Sequence, residues 1–300
     1  MDSCVMTRGL SKAYRGTTVV DGIDMTVPRG MVYGFLGPNG AGKTTTMKML
    51  LGLVHPTAGT ATVLGTQVRA RNRVRVNARV GSLIESPSYY PHLTARENLE
   101  IIRSLRGLSA RAIDEALATV RLEHVGTKPV RAFSLGMRQR LGLAAALMGN
   151  PELILLDEPT NGLDPAGIQE MRELIRSLPA THGCSVLVSS HLLSEMDQMS
   201  DYVGIISSGR MVWQGPLAGL HAQAQGWLDL HTTNDERAAT LLGIARLDGR
   251  RIRMRMCPDE ELARKVMTLA REGIAVLRLE EHREGLEDLF LKLTGTEASL

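Results

Sequence analysis

The sequence predicts an α/β protein: a main domain on a mostly parallel core sheet, followed by a small α+β domain. Three observations carry this. Short apolar runs alternate with helical stretches up to about residue 217. A glycine-rich turn joins an apolar strand to a helix at residues 37–44. Beyond Gly215-Pro216 the pattern changes to short strands and helices of a different kind. Strands alternating with helices imply a parallel sheet covered on both faces.

Thr18-Val19-Val20, Ile23, Met25, Val27 and the run Met31 to Leu36 read as strands, the last one buried. Residues 44–53 switch to helix, and Pro56-Thr57-Ala58-Gly59 is a turn. The stretch from about 92 to 149 is helical. Thr94 with Glu97 makes a capping box, and Ser109 and Ser134 are placed as N-caps of the two following helices. Strands return at Leu153 to Leu156, Ser185 to Ser189 and Tyr202 to Ile206. In the tail, Trp227 to His231 and Arg251 to Met256 read as strands, the second with Arg on one face and Ile/Met on the other. Leu262 to Ala270 reads as helix, Ile274 to Leu279 as strand and Leu286 to Leu293 as helix, a pattern of ferredoxin-like type. The expected boundaries are 1–217 and 218–300, with a helical subdomain at about 82–150.

The bulk composition excludes several classes. With 43% hydrophobic and 22% charged residues the chain has a sizeable core and is neither disordered nor fibrous. A net charge of +3 is too weak to argue for nucleic acid. Three cysteines, Cys4, Cys184 and Cys257, have no paired spacing, so reduced thiols are expected rather than a disulfide framework or a zinc site. The N-terminus has no signal-peptide core, and no apolar run is long enough to span a bilayer. A membrane role therefore requires another chain to cross. Arg69, Arg71, Arg73, Arg75 and Arg79 form a cluster with two readings: a solvated edge, or contact with anionic lipid headgroups.

Gly37-Pro38-Asn39-Gly40-Ala41-Gly42-Lys43-Thr44, followed by Thr45, fits the phosphate-binding P-loop. Its glycines let backbone N–H groups turn onto phosphate oxygens, and the next helix presents its positive end to the same anion. Lys43 is expected on the β- and γ-phosphates and Thr44 on Mg²⁺. Leu153-Ile154-Leu155-Leu156-Asp157-Glu158 is an apolar strand ending in two acids, 114 residues after Lys43. In a P-loop fold Asp157 holds Mg²⁺ through its water shell, and Glu158 is placed to polarise the attacking water.

Phe133-Ser134-Leu135-Gly136-Met137-Arg138-Gln139 begins just ahead of that strand, with Ser134 23 residues before Asp157. Here the chain resembles the ATP-binding subunits of ABC transporters, densely over residues 5–217. That resemblance implies a P-loop ATPase domain with an antiparallel β subdomain and a helical subdomain. It implies that Ser134, Leu135, Gly136 and Met137 meet the γ-phosphate of ATP held by a second copy. It also implies that Tyr14 stacks on adenine, Asp164 in Gly162-Leu163-Asp164 links the two sites of a dimer, and His191 touches the γ-phosphate. The site then has Glu158, His191 and Lys43 as catalytic residues, with ATP and Mg²⁺ as cofactors. The partners implied are an integral-membrane permease and a second copy of this chain, at the cytoplasmic face of the cell membrane, with no nucleic acid.

Two departures refine the likeness. Glu85, in Ser82-Leu83-Ile84-Glu85-Ser86-Pro87, stands where the family usually has Gln; it can bind Mg²⁺ or a water but cannot donate as an amide does. Leu135 and Met137 replace commoner Gly and Gln. With Tyr90 to Thr94 and the tail Leu286 to Leu291, these are similar to the drug-export, bacitracin-resistance and lantibiotic-immunity branch. The expected function is an ATPase powering export of an antibiotic, antimicrobial peptide or other amphipathic compound. A soluble ABC-type ATPase acting on ribosomes or nucleic acid is the competing class; such members carry paired cassettes or a long coiled coil, and this chain has neither. A kinase is disfavoured by the signature, and a GTPase by the lack of a guanine-reading Asn-Lys-x-Asp segment.

Overall fold

A computed structural model describes residues 2–85, 89–223, 226–244, 247–248, 251–283, 289–291 and 293. The chain divides into two compact units, Met1–Ala218 forming the body of one and Gly219–Lys292 that of the other.

The first unit opens with an antiparallel sheet. β1 (Ser3–Tyr14) pairs with β2 (Thr17–Ile23), β3 (Thr26–Pro28) and β5 (Ala58–Val63), and β6 (Thr66–Gln67) pairs with β5. The β1–β2 hairpin turns on Arg15 and Gly16, both at positive φ, the two-residue connection that matches strand twist.

β4 (Val32–Leu36) is fully buried and leads through the glycine-rich loop into α1 (Lys43–Leu50). After α2 (Arg73–Asn77) and β7 (Val80–Leu83) come three helices, α3 (Ala95–Arg106), α4 (Arg111–Thr119) and α5 (Leu135–Leu147). The rest of the unit is β8 (Leu153–Asp157), α6 (Pro165–His182), β9 (Ser185–Ser190), α7 (Leu193–Met199), β10 (Tyr202–Ser207) and β11 (Arg210–Pro216). The central sheet has the order β11-β10-β4-β9-β8-β7, parallel except for β11. β4, β8 and β9 are buried at every residue, as strands covered on both faces must be. Phe35, Leu155 and Leu187 from adjacent strands meet Met47 and Leu50 of α1 in one core. Because β9 lies between β4 and β8, the loops that leave their C-terminal ends crowd together on one edge of the sheet.

Local signals behave as their chemistry requires, with one shift. Thr94 Oγ1 accepts from Glu97 N at 3.2 Å while Glu97 Oε2 accepts from Thr94 N at 2.7 Å, the reciprocal box expected. Ser134 caps α5 by accepting from Met137 N at 3.2 Å. Ser109 does not cap α4. Ala110 is already helical, and the entry tightens through Ala112 N to Ser109 O and Ile113 N to Ala110 O, so the backbone carbonyls take the role assigned to the hydroxyl.

α8 (Leu217–His221) spans the boundary, and the second unit continues with β12 (Gly226–Thr232), α9 (Asp235–Leu242), β13 (Leu247–Asp248), β14 (Arg251–Arg255), α10 (Asp259–Arg271) and β15 (Val276–Arg283). The sheet is antiparallel with order β13-β14-β12-β15, a βαββαβ arrangement of ferredoxin-like topology. Leu230, Ile252 and Leu269 with Ala238 and Ala239 form its core. The helix read at Leu286 to Leu293 lies partly outside the described residues; 289–291 and 293 are helical.

Candidate functional site: a phosphate loop beside two strand-end acids

Residues 37–42 wrap the start of α1. Gly37 has no room for a side chain, since a Cβ there would lie 2.4 Å from Ile206 O. Gly42 is the N-cap at φ +106, and a Cβ on it would meet Val19 O at 2.8 Å. A glycine cap brings no side-chain acceptor, and the first turn of α1 holds no acid. The N–H groups of that turn are thus offered to an anion instead of being capped from within. Lys43 is 6% exposed. Its Nζ donates to Gly37 O at 2.7 Å and Pro38 O at 3.3 Å, and lies 3.1 Å from Glu158 Oε1.

The acids arrive from β8. Asp157 Oδ2 accepts from Thr44 Oγ1 at 2.7 Å and its Oδ1 accepts from Ser189 Oγ at 2.6 Å. Glu158 Oε2 accepts from His191 Nδ1 at 2.8 Å, which fixes the ring and turns Nε2 away from the carboxylate. Glu158 has a left-handed backbone, φ +49, a conformation that costs a non-glycine residue about 1–2 kcal/mol. Such strain persists only where the surroundings hold it; here Glu158 N donates to Ser189 Oγ at 3.0 Å. Lys43, Thr44, Asp157, Glu158 and His191 therefore form one connected cluster from three strand ends.

Other predicted residues sit elsewhere. Tyr14 is 45% exposed at the end of β1 with Lys12 Nζ 4.9 Å from its ring centroid. Glu85, at φ +61, accepts from Lys48 Nζ at 2.5 Å, so its charge is met by a lysine of α1, and no hydrogen bond joins it to the Thr44–Asp157 pair. Asp164 caps α6, accepting from Gly167 N at 3.0 Å. Ser134, Leu135, Gly136, Gly162, Leu163 and Asp164 line a separate cleft of 400 Å³, to which no residue of the 37–45 loop contributes. Within one chain the signature and the phosphate loop are thus two sites.

The ABC transporter family model matches residues 20–161, and the bacitracin transport ATP-binding protein BcrA of Bacillus licheniformis is 41% identical over 98% of this chain and 98% of its own length. The chain belongs to the ATP-binding subunits of ABC transporters. The lantibiotic transport ATP-binding protein SrtF of Streptococcus pyogenes is 42% identical over 68% of this chain and 87% of its own. The daunorubicin/doxorubicin resistance ATP-binding protein DrrA of Streptomyces peucetius is 35% identical over 98% and 93%. Among solved structures, cbiO1 of Clostridium perfringens, part of the transporter complex cbiONQ, superposes with a TM-score of 0.68 at 25% identity, covering 74% of this chain and 92% of that one. The chain is an ABC ATPase that binds and hydrolyses ATP.

In this ATPase two sets of residues escaped the sequence reading. Ser189 bridges both acids, and its neighbour Ser190 shares the buried Glu195 with Thr160 at 2.9 and 2.7 Å. The signal was present: two serines just before His191 at the end of an apolar strand. Lys48 was also missed, since its partner is 37 positions away.

Proposed function

We propose that two copies of this ATPase close on two ATP molecules and drive a separate integral-membrane permease that exports an antibiotic, antimicrobial peptide or other amphipathic compound. The observation that carries it is the pairing of Lys43 and His191 on the two oxygens of Glu158, beside the phosphate loop. The loop N–H groups and Lys43 bind the triphosphate. A γ-phosphate competes with Glu158 for Lys43, leaving the carboxylate to orient and deprotonate the attacking water. His191 holds Glu158 by Nδ1 and offers Nε2 to the γ-phosphate.

The donors suit Mg²⁺. Among the described residues no cluster of three or more His, Cys, Asp or Glu forms, and Mg²⁺ normally takes one or two carboxylates plus substrate phosphates. Thr44 would ligand it directly and Asp157 through water, while Glu85 joins only by leaving Lys48. When bound, Mg²⁺ offsets charge on the β- and γ-phosphates.

The second copy supplies Ser134, Leu135, Gly136 and Met137, whose helix end faces the cleft beside Asp164. Tyr14, 45% exposed, would stack on adenine. We assign ATP binding to residues 1–217 and an accessory, regulatory role to 218–300. No helix among the described residues is long and apolar enough to cross a membrane, so the proposed seat is peripheral, on the cytoplasmic face against the permease. The relatives named for bacitracin and lantibiotic transport and for daunorubicin resistance support export and its cargo class.

Glu158→Gln tests the chemistry. ATPase turnover is expected to fall about a hundredfold or more, the range of a lost general base, with ATP binding kept. Turnover at the wild-type rate would overturn the assignment. Coexpression with the cognate permease should raise resistance to peptide antibiotics with the wild-type chain and not with Glu158→Gln.

A further inference from the structure

We propose that the arginine cluster at the far end of α1 is a binding surface for anionic phospholipid headgroups, seating the ATPase on the bilayer beside its permease; this rests on the membrane-peripheral reading above. Between Asp24 and Glu85 the chain contains no Asp or Glu, and eight Lys or Arg. Four of the eight have other work. Arg29 pairs with Asp2, Lys43 with Glu158, Lys48 with Glu85 and Arg79 with Glu152. The other four, Arg69, Arg71, Arg73 and Arg75, are exposed, and none pairs with a carboxylate among the described residues. Arg69 reaches only the Gln67 amide oxygen. Elsewhere in the first unit Arg96, Arg103, Arg111, Arg140 and Arg210 carry acidic partners, while arginines without one among the described residues, such as Arg8, Arg15, Arg121, Arg131 and Arg172, are scattered; four unneutralised arginines within seven positions are the local feature of this segment.

The patch also has apolar tips. Val74 of α2 is 79% exposed in the middle of the arginines, although Val76 two positions on is buried. Leu53, 57% exposed, stands next to Gly52, whose backbone lies against Arg73; a Cβ on Gly52 would meet Arg73 Cβ at 3.2 Å. Asn77 Nδ2 donates to Leu51 O at 3.0 Å and ties α2 to the end of α1. Cations around protruding aliphatic side chains suit a bilayer interface, where charge is held by headgroups and the apolar tips enter the acyl boundary. Nucleic acid fits poorly, because residues 65–80 contain no aromatic on which a base could stack. The alternating spacing spreads the guanidinium groups and builds no shaped pocket, which favours a diffuse anionic surface over one acidic peptide. Eight residues of α1 at about 1.5 Å each place the patch roughly 12 Å from the phosphate loop, so its variants leave the nucleotide site intact.

Cosedimentation of the full chain with phosphatidylcholine vesicles, with and without phosphatidylglycerol, tests this. The wild type should bind only the anionic vesicles, less so as salt screens the charges. The triple variant Arg71→Gln, Arg73→Gln, Arg75→Gln should bind about a hundredfold more weakly, near fivefold per lost charge. The same number of substitutions at the exposed Arg96, Arg111 and Arg121 should leave binding in place, which separates patch from net charge. Failure of the wild type to bind, equal binding to neutral vesicles, or equal loss in both triple variants would overturn the proposal. So would loss of binding to detergent-solubilised permease in the first variant without any vesicle binding by wild type, which would give the patch to an acidic protein surface. ATP hydrolysis and ATP-dependent dimerisation measured in the same preparations report on the transporter reading separately.

Discussion

Asp157 and Asp229 are both nearly buried strand aspartates, 5% and 6% exposed, yet their partners are of opposite kinds. Asp157 is held by two neutral hydroxyls, Thr44 and Ser189. Asp229, on β12, takes two hydrogen bonds from the Arg253 guanidinium at 2.9 and 3.1 Å, with His282 Nε2 3.4 Å away. Arg253 in turn lies over the Trp227 ring at 4.7 Å, and Trp227 stacks on His282. A carboxylate held by neutral donors keeps its negative charge available to an incoming cation. One held by a guanidinium has already been neutralised, and that pair serves to fix the sheet of the second unit. Burial of an acid is therefore uninformative until its donors are named.

The largest effect that could break this contrast is on the second unit. Arg253→Met leaves Asp229 buried without its counter-ion. Loss of a fully buried partner costs 3–5 kcal/mol, and because Arg253 is 43% exposed we expect about 2 kcal/mol, read as a lower unfolding midpoint with nucleotide affinity unchanged. The pH dependence follows. The hydrogen bonds from Arg253 hold the Asp229 carboxyl below its ordinary value, against the opposing effect of burial. Its contribution is complete above the ordinary carboxylate range, near pH 4, and is lost as pH falls through the depressed value. Wild type should lose that increment on acidification and Arg253→Met should not; parallel curves would refute the pairing.

A smaller effect is expected at the nucleotide site. Ser189→Ala removes one donor from Asp157 and the acceptor for Glu158 N. Turnover should fall about tenfold, near the lower end of the roughly 1.5–3 kcal/mol that a hydrogen bond to a charged group contributes, while the fold is retained. An unchanged rate would reduce Ser189 to a packing residue. Smallest is Glu85→Gln, which breaks a half-exposed ion pair with Lys48 and should change folding stability by at most about 1 kcal/mol in denaturant titration.

The same contrast explains what could be read from the sequence. Gly37 to Thr44 was legible because phosphate binding constrains contiguous backbone, and Asp157-Glu158 because a P-loop needs a second carboxylate on the Mg²⁺ side, which gives weight to an apolar strand that ends in two acids. The capping box at Thr94 and Glu97 was local and so readable. Ser189 was not, since a serine at a strand end has no periodicity, and its meaning comes from Asp157, 32 positions earlier. The Lys48–Glu85 and Asp229–Arg253 pairs depend likewise on strands and helices far apart in sequence. α9 and β13 were missed because two short elements give too few residues for a period, although Asn234 caps α9 by accepting from Arg237 N. The entry to α4 was misplaced for a similar reason: Ser109 has the chemistry of a cap, but the backbone had turned one residue later.

The central claim is that triphosphate is held between the loop after β4 in one copy and the start of α5 in another. Light scattering of the Glu158→Gln chain with Mg²⁺ and ATP tests it, alone and combined with Gly136→Asp. Gly136 has space for a side chain, its nearest neighbour to a Cβ being Leu163 Cδ2 at 3.8 Å, so the fold should survive while a carboxylate faces the incoming phosphate. The account predicts that ATP doubles the mass of Glu158→Gln and leaves the double variant monomeric with ATP still bound. A double variant that dimerises as readily, or a wild-type monomer that turns over ATP at the full rate, would contradict it.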